Sequence, residues 1–220
     1  MKSHLSKGVL AITMLVLSSV ACSAVSLLGG GPLLQDDFNS GSGDWGLGTD
    51  TDSSVEYSGG GLRMQAFRDN YIVWSTPNNE EFENVHVEVT VNASGTDATT
   101  AFGIICDQQS VTDSGYYMVM TPAGEYAIAK AALAQTDVFL TNNDQWASSD
   151  AITQDAASYR VGADCGNGRL TLYVDGKQIA SVTDATYVKG AVGLQIWSGD
   201  NISSVDVTFD DFVVTKLTTK

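Results

Sequence analysis

Between residues 85 and 91 the chain alternates without interruption, with Val85, Val87, Val89 and Val91 on one side of an extended strand and His86, Glu88 and Thr90 on the other. A period of two marks a strand with one buried and one solvated face. Short β-branched and aromatic runs recur from Gln35 onward, separated by clusters of Gly, Asn, Asp and Ser, and none holds a helical period. Residues 116–121 and 125–130 flank Pro122-Ala123-Gly124, a hairpin connection in which Gly124 supplies a positive φ. Residues 158–183 read as three strands joined by Gly166-Asn167-Gly168 and by Asp175-Gly176. Asp-Gly suits a type I′ turn, whose two central residues both need positive φ. Residues 191–197 and 205–217 bring the total to about a dozen strands, too many for one flat sheet. The prediction is an all-β sandwich of two antiparallel sheets packed face to face.

The N-terminal segment follows a different pattern. Lys2 and Lys7 precede an apolar run over residues 8–20, the basic and hydrophobic regions of a signal peptide. The run is shorter than the roughly 20 residues of a membrane-spanning helix. It ends in Ser19-Val20-Ala21-Cys22, which resembles the lipobox of bacterial lipoproteins, where the cysteine becomes the lipid-bearing first residue of the mature chain. Ser19 stands where that motif usually has Leu or another aliphatic residue. The expected organisation is a signal peptide over 1–21, a lipid on Cys22, a Gly-rich tether over 22–34 and one domain over 35–217. The protein is then exported and held by its N-terminal lipid at the cell membrane or outer envelope surface. An ordinary secretory signal cut near Ala21 or Ala24 is the alternative.

Charge sharpens this picture. Lys2 and Lys7 fall in the signal segment, so nine of 11 basic residues remain against all 26 acidic ones, a formal charge of −17 over residues 22–220. Such a surface repels nucleic acid. Twenty of the acids are Asp and six are Glu, a bias toward turns, where Asp bonds nearby backbone amides. The cysteines divide into Cys22 and a pair, Cys106 and Cys165, each within a strand-like segment. In an exported protein the pair reads as a disulfide, with two separate buried thiols as the alternative.

One ordered set of motifs carries a family resemblance: Asp36-Asp37-Phe38, Trp45, the 57–64 run Tyr-Ser-Gly-Gly-Gly-Leu-Arg-Met, 102–106 Phe-Gly-Ile-Ile-Cys, 115–120 Gly-Tyr-Tyr-Met-Val-Met, 124–130, Trp146, 165–170, 174–177, 190–194 and Phe209-Asp210-Asp211-Phe212. Over residues 35–215 it resembles the concanavalin A-like jelly-roll superfamily, in particular its laminin G-like and 3-keto-disaccharide hydrolase-like branch. Asp107 departs from that branch, which often carries Arg after the cysteine. The resemblance implies a jelly-roll sandwich and leaves activity open, because the fold hosts lectins, glycosidases and adhesion modules alike.

Candidate chemistry follows from that frame. Retaining glycosidases need two carboxylates about 5–5.5 Å apart, and the Glu-x-Asp-x-Glu strand that supplies them on this fold is absent from the sequence. Glu81, Glu83, His86 and Glu88 come nearest, and read as solvated strand surface. The domain holds a single histidine, His86, and no Gly-x-Ser-x-Gly elbow. Asp36-Asp37-Phe38 recurs as Asp210-Asp211-Phe212, and in jelly rolls the first and last strands commonly pair. Consecutive acids break the alternation of Val205, Val207 and Phe209, so one points inward or sits at a bulge. Structural calcium on Asp37 and Asp211 is one reading, and hydrogen bonds to backbone amides the other. Trp146, Trp197 and Tyr117 have the neighbours of a glycan platform, whereas Trp45 and Trp74 read as core. The functions this leaves are non-catalytic binding of a glycan or surface protein, carbohydrate hydrolysis, and a structural envelope role.

Overall fold

The computed structural model describes residues 31–217 apart from Asn79, Val111, Asp113 and Ser203; Cys22 and the signal segment lie outside the described residues. Sixteen strands and no helix are found among them. In chain order they are β1 (Leu34–Asp36), β2 (Gly48–Thr49), β3 (Ser53–Ser58), β4 (Gly61–Ala66), β5 (Ile72–Ser75), β6 (Val85–Asn92), β7 (Ala101–Gln108) and β8 (Gly115–Met120). The second half has β9 (Glu125–Ala131), β10 (Val138–Phe139), β11 (Ala147–Ser148), β12 (Ser158–Gly166), β13 (Arg169–Val174), β14 (Lys177–Thr183), β15 (Ala191–Trp197) and β16 (Val205–Lys216). Leu34, assigned by sequence to the tether, is the first residue of β1, because it pairs with Val214.

Nine strands form one sheet, in the order β14-β13-β12-β6-β16-β4-β3-β2 with β1 beside β16. Seven form the other, β10-β9-β8-β7-β15-β5 with β11 beside β9. All pairings are antiparallel. The valines of β6 are buried at 0–1 % exposure and share one core with Phe102, Ile104, Met118 and Leu194 of the facing sheet. The expected hairpins form as read: Gly124 has φ 87°, and Asp175 and Gly176 have φ 50° and 73°. The two described cysteines are joined, Cys106 of β7 to Cys165 of β12 with Cα atoms 6.3 Å apart, so the bond crosses from one sheet to the other.

The repeated Asp-Asp-Phe tripeptides meet where β1 pairs with β16, Asp36 opposite Phe212. The interruption in β16 is a bulge: Asp210 pairs with Thr90 but Val213 pairs with Glu88, and Asp211 takes φ 50°. One extra residue restores the parity, so Val205, Val207 and Phe209 before it and Phe212 and Val214 after it all point into the core. The bulge also marks where β16 exchanges β4 for β1 as its neighbour. The acid that turns toward the core is Asp36, whose carboxylate accepts the Phe38 amide (2.7 Å) and the Trp45 indole N–H (3.0 Å).

Candidate functional site

Alternation along the seven-stranded sheet sends Ile72, Trp74, Ala101, Gly103, Ile105, Tyr117, Val119, Ala127, Ala129, Gly193, Gln195 and Trp197 to its outer face, opposite the core set. The middle of that face is built from small residues. At Gly103 even a methyl group would collide with the backbone of Met118 and Val119. Large side chains rise around this floor: Ile72 and Trp74 on the edge strand β5, and Tyr117 and Phe139 beyond β7 on the other side. The result is a groove with two joined depressions of about 110 and 230 Å³ that share Ile72, Tyr117 and Gln195.

Trp146 and Trp197 close one end. Their rings stack with centroids 6.0 Å apart and planes 20° apart, and the Phe139 ring meets Trp146 edge-on at 5.5 Å. Both indoles are half-buried and rest on Ala101, Val119 and Ala127. The Trp197 indole N–H donates to Asn70 Oδ1 (3.1 Å), and the Asn142 amide donates to the Trp146 carbonyl (2.6 Å). Tyr117 donates its hydroxyl to Asp137 Oδ2 at 2.9 Å. Burial first, and then the Asp137 charge, hold this phenol far above its ordinary range. The three aromatic residues singled out in the sequence therefore stand at one site.

Trp74 requires a correction. By sequence it reads as core, yet Val73 and Ser75 take the inner face of β5 and Trp74, 43 % exposed, becomes a wall of the groove. Trp45 is core as expected, between Phe38 and Phe212.

Two polar residues, Asp107 and Gln108, close β7. Gln108 lines the larger depression. Asp107 lies in a bulge opposite β15, with φ 51° and 4 % exposure. Burial, helped by the charge of Glu83, pushes its carboxyl up to about 7.

The outer face of the nine-stranded sheet carries a separate polar network. His86 Nδ1 meets Asp164 Oδ1 at 2.6 Å and Nε2 meets Glu88 Oε1 at 3.3 Å. Arg160 reaches Glu88 Oε2 (3.2 Å), and Tyr173 donates to Asp164 Oδ2 (2.8 Å). Burial opposes a charge on His86, but the bonds to Asp164 and Glu88 outweigh it and raise the imidazole to about 9. The His86 bond, against burial and with help from Arg160, lowers Glu88 to about 2. His86 and Glu88 are thus a half-buried ion network rather than solvated strand surface, and a histidine protonated at neutral pH is no general base.

Asp37 and Asp211 are both exposed. Asp37 accepts the Asn39 amide (3.1 Å), and the Asp211 amide donates to Asp210 (2.7 Å). Burial and the charges of Asp211 and Asp37 raise the Asp210 carboxyl. No group of three or more metal-ligating side chains stands together among the described residues.

No family model and no curated protein matches the sequence. Solved structures do. The carbohydrate-binding module CBM66 from Bacillus subtilis superposes with TM-score 0.60 at 12 % identity, covering 79 % of this chain and 96 % of that one. A protein of unknown function with a galectin-like fold, also from Bacillus subtilis, gives TM-score 0.62 at 12 % identity over 87 % and 99 %. The fold is a concanavalin A-like jelly roll. A glycoside hydrolase family 16 endo-glucanase from Bacteroides ovatus shares it, with TM-score 0.57 at 15 % identity over 83 % and 100 %.

Proposed function

We propose that this is an exported, lipid-anchored surface protein whose seven-stranded sheet binds a glycan on its outer face without cleaving it. The observation that carries the reading is the stacked, half-exposed Trp146–Trp197 pair at the end of a groove walled by Trp74 and Tyr117. Flat aromatic faces take the C–H faces of sugar rings, and amides such as Gln195 take their hydroxyls. The names of a carbohydrate-binding module and an endo-glucanase among proteins of the same fold are in keeping with it. Hydrolysis is disfavoured because Asp137 is the single carboxylate among the described residues lining the two depressions, and it already holds the Tyr117 hydroxyl. Export is supported by the Cys106–Cys165 bond, which suits an oxidising compartment. The lipid anchor on Cys22 rests on the lipobox-like motif.

A glycan array, followed by titration of tryptophan fluorescence with any hit, tests the binding. Trp146→Ala and Trp197→Ala should each weaken a hit by tenfold or more, since removing a large aromatic contact surface costs about 1.5–3 kcal/mol. A blank array across neutral and charged glycans would remove the reading in favour of a structural envelope role. Mass spectrometry of the mature N-terminus tests the anchor, and an unmodified Ser23 or Val25 start would refute it.

A further inference from the structure

β10 and β11 are two pieces of one edge strand laid along β9. β10 ends with Phe139 opposite Ala129, and β11 begins with Ala147 opposite Tyr126. Two residues of β9, Ala127 and Ile128, therefore face the seven from Leu140 to Trp146, an excess of five. An even excess would keep the alternation in phase across the gap, and an odd one reverses it. Phe139 and Trp146, which a regular strand would send to opposite faces, thus share the groove face, where their rings meet edge-on at 5.5 Å. Leu140 stays on the core side.

A left-handed turn takes up the excess. Asn142, Asn143 and Asp144 have φ 47°, 55° and 64°, and nowhere else among the described residues do three such residues follow one another. The left-handed region costs every L residue free energy, Asn and Asp least. All three side chains are exposed, so packing does not offset the cost. Two of them bond within the segment instead: the Asn142 amide donates to the Trp146 carbonyl (2.6 Å), and the Asp144 carboxylate accepts the Phe139 amide (2.7 Å). The turn is tied in this way to the two aromatic residues it brings together. Trp197, by contrast, stands on β15 and is held by Asn70. One half of the tryptophan stack therefore belongs to a regular strand and the other to the excursion. A platform assembled before its ligand arrives loses less freedom on binding.

We propose that Asn142 and Asp144 are positioning residues of the aromatic platform, holding the turn that sets Trp146 against Trp197 in the free protein. The proposal rests on the glycan-binding reading above, and adds the residues that assemble its platform.

The test reads the indole N–H resonances of the full chain labelled with nitrogen-15 tryptophan, recorded without sugar, with Trp197 assigned by its loss in Trp197→Phe. Trp146→Ala removes the ring stacked on Trp197 and gives the position of the unstacked signal. Asn142→Asp keeps a residue type that takes the left-handed region and removes the donor, and Asp144→Ala removes the acceptor. Each should move the Trp197 signal at least half of the way to its position in Trp146→Ala, with the signal of the core residue Trp45 unmoved. Asp144→Asn, which keeps an acceptor oxygen, and Asn143→Asp, which places a charge one residue along from Asn142, should leave Trp197 as in wild type. A Trp197 signal that Trp146→Ala moves and both Asn142→Asp and Asp144→Ala leave in place overturns the proposal. An equal shift in Asn143→Asp overturns it too, and so does a shift of Trp45 alongside Trp197, which assigns the turn to the stability of the whole domain. Because no sugar is present, a blank glycan array removes the glycan reading without touching this result, and an unmoved Trp197 signal in the two variants removes the positioning role without touching the glycan reading.

Discussion

Replacing Asp107 by Asn is expected to stabilise the domain, and to do so only above the pH at which Asp107 ionises in the unfolded chain. The Asp107 carboxyl is buried beside Glu83 and titrates at about 7 against 3.8 for a solvated aspartate. At 1.36 kcal/mol per pH unit the difference amounts to about 4 kcal/mol. The folded state keeps a proton that the unfolded chain releases above 3.8, so stability falls as pH rises from about 4 to about 7 and is level beyond. Asparagine has nearly the same shape and no charge, and removes that slope. For a domain of this size each kcal/mol moves the melting temperature by roughly 2–4 °C, so Asp107→Asn should melt about 8–16 °C above wild type at pH 8 and within a few degrees of it at pH 4. Circular dichroism melts at the two pH values are sufficient. An equal gain at both would mean that Asn merely suits the left-handed backbone at φ 51° better. No gain at pH 8 would mean that the carboxylate finds stabilisation which the buried surroundings do not provide.

Three further outcomes are expected. His86 titrates at about 9 in the folded state against 6.5 unfolded, so its stabilisation is complete below pH 6.5 and lost as pH rises through 9. Urea unfolding should lose about 3 kcal/mol between pH 6.5 and 10, and His86→Gln should remove that dependence; a wild-type profile level over the range would contradict it. Reducing the disulfide, whose cysteines lie 59 residues apart, should cost about 4 kcal/mol by the loop-entropy model, read as the shift in urea midpoint between oxidised and reduced protein. Asp36→Ala strips partners from the Phe38 amide and the nearly buried Trp45 indole, and should cost about 2 kcal/mol; an unchanged melting temperature would argue that these groups are not held by Asp36.

Much of the fold is legible in the sequence because parity and turn chemistry are local. The valines of β6 and the Asp175-Gly176 turn depend on neighbours within a few positions, and the cysteine pair on arithmetic alone. The site is legible only in part. Trp146, Trp197 and Tyr117 stand out by residue type, but Trp74 sits in a four-residue edge strand whose apolar letters do not reveal which face each takes. His86 looks solvated because Asp164, which with Glu88 holds its proton, arrives from a strand 78 residues away. Asp36 rather than Asp37 turns inward for a reason that lies in the position of Trp45. Gln108 gives no signal at all, since its place on the groove wall follows from the bulge in β7.

The junction of β1 with β16 bears on how the protein withstands force. A pull on the chain ahead of the domain first loads a strand of three residues, Leu34 to Asp36, paired only with Val213 and its two neighbours. So short a ladder would peel residue by residue at low tension. Directly behind it, however, Phe38 is 1 % exposed and packed against Trp45, and Asp36 grips the same indole. Peeling therefore stops at an aromatic plug that has to be drawn out of the core whole. Loss of β1 would therefore leave the core and the groove on the other sheet in place.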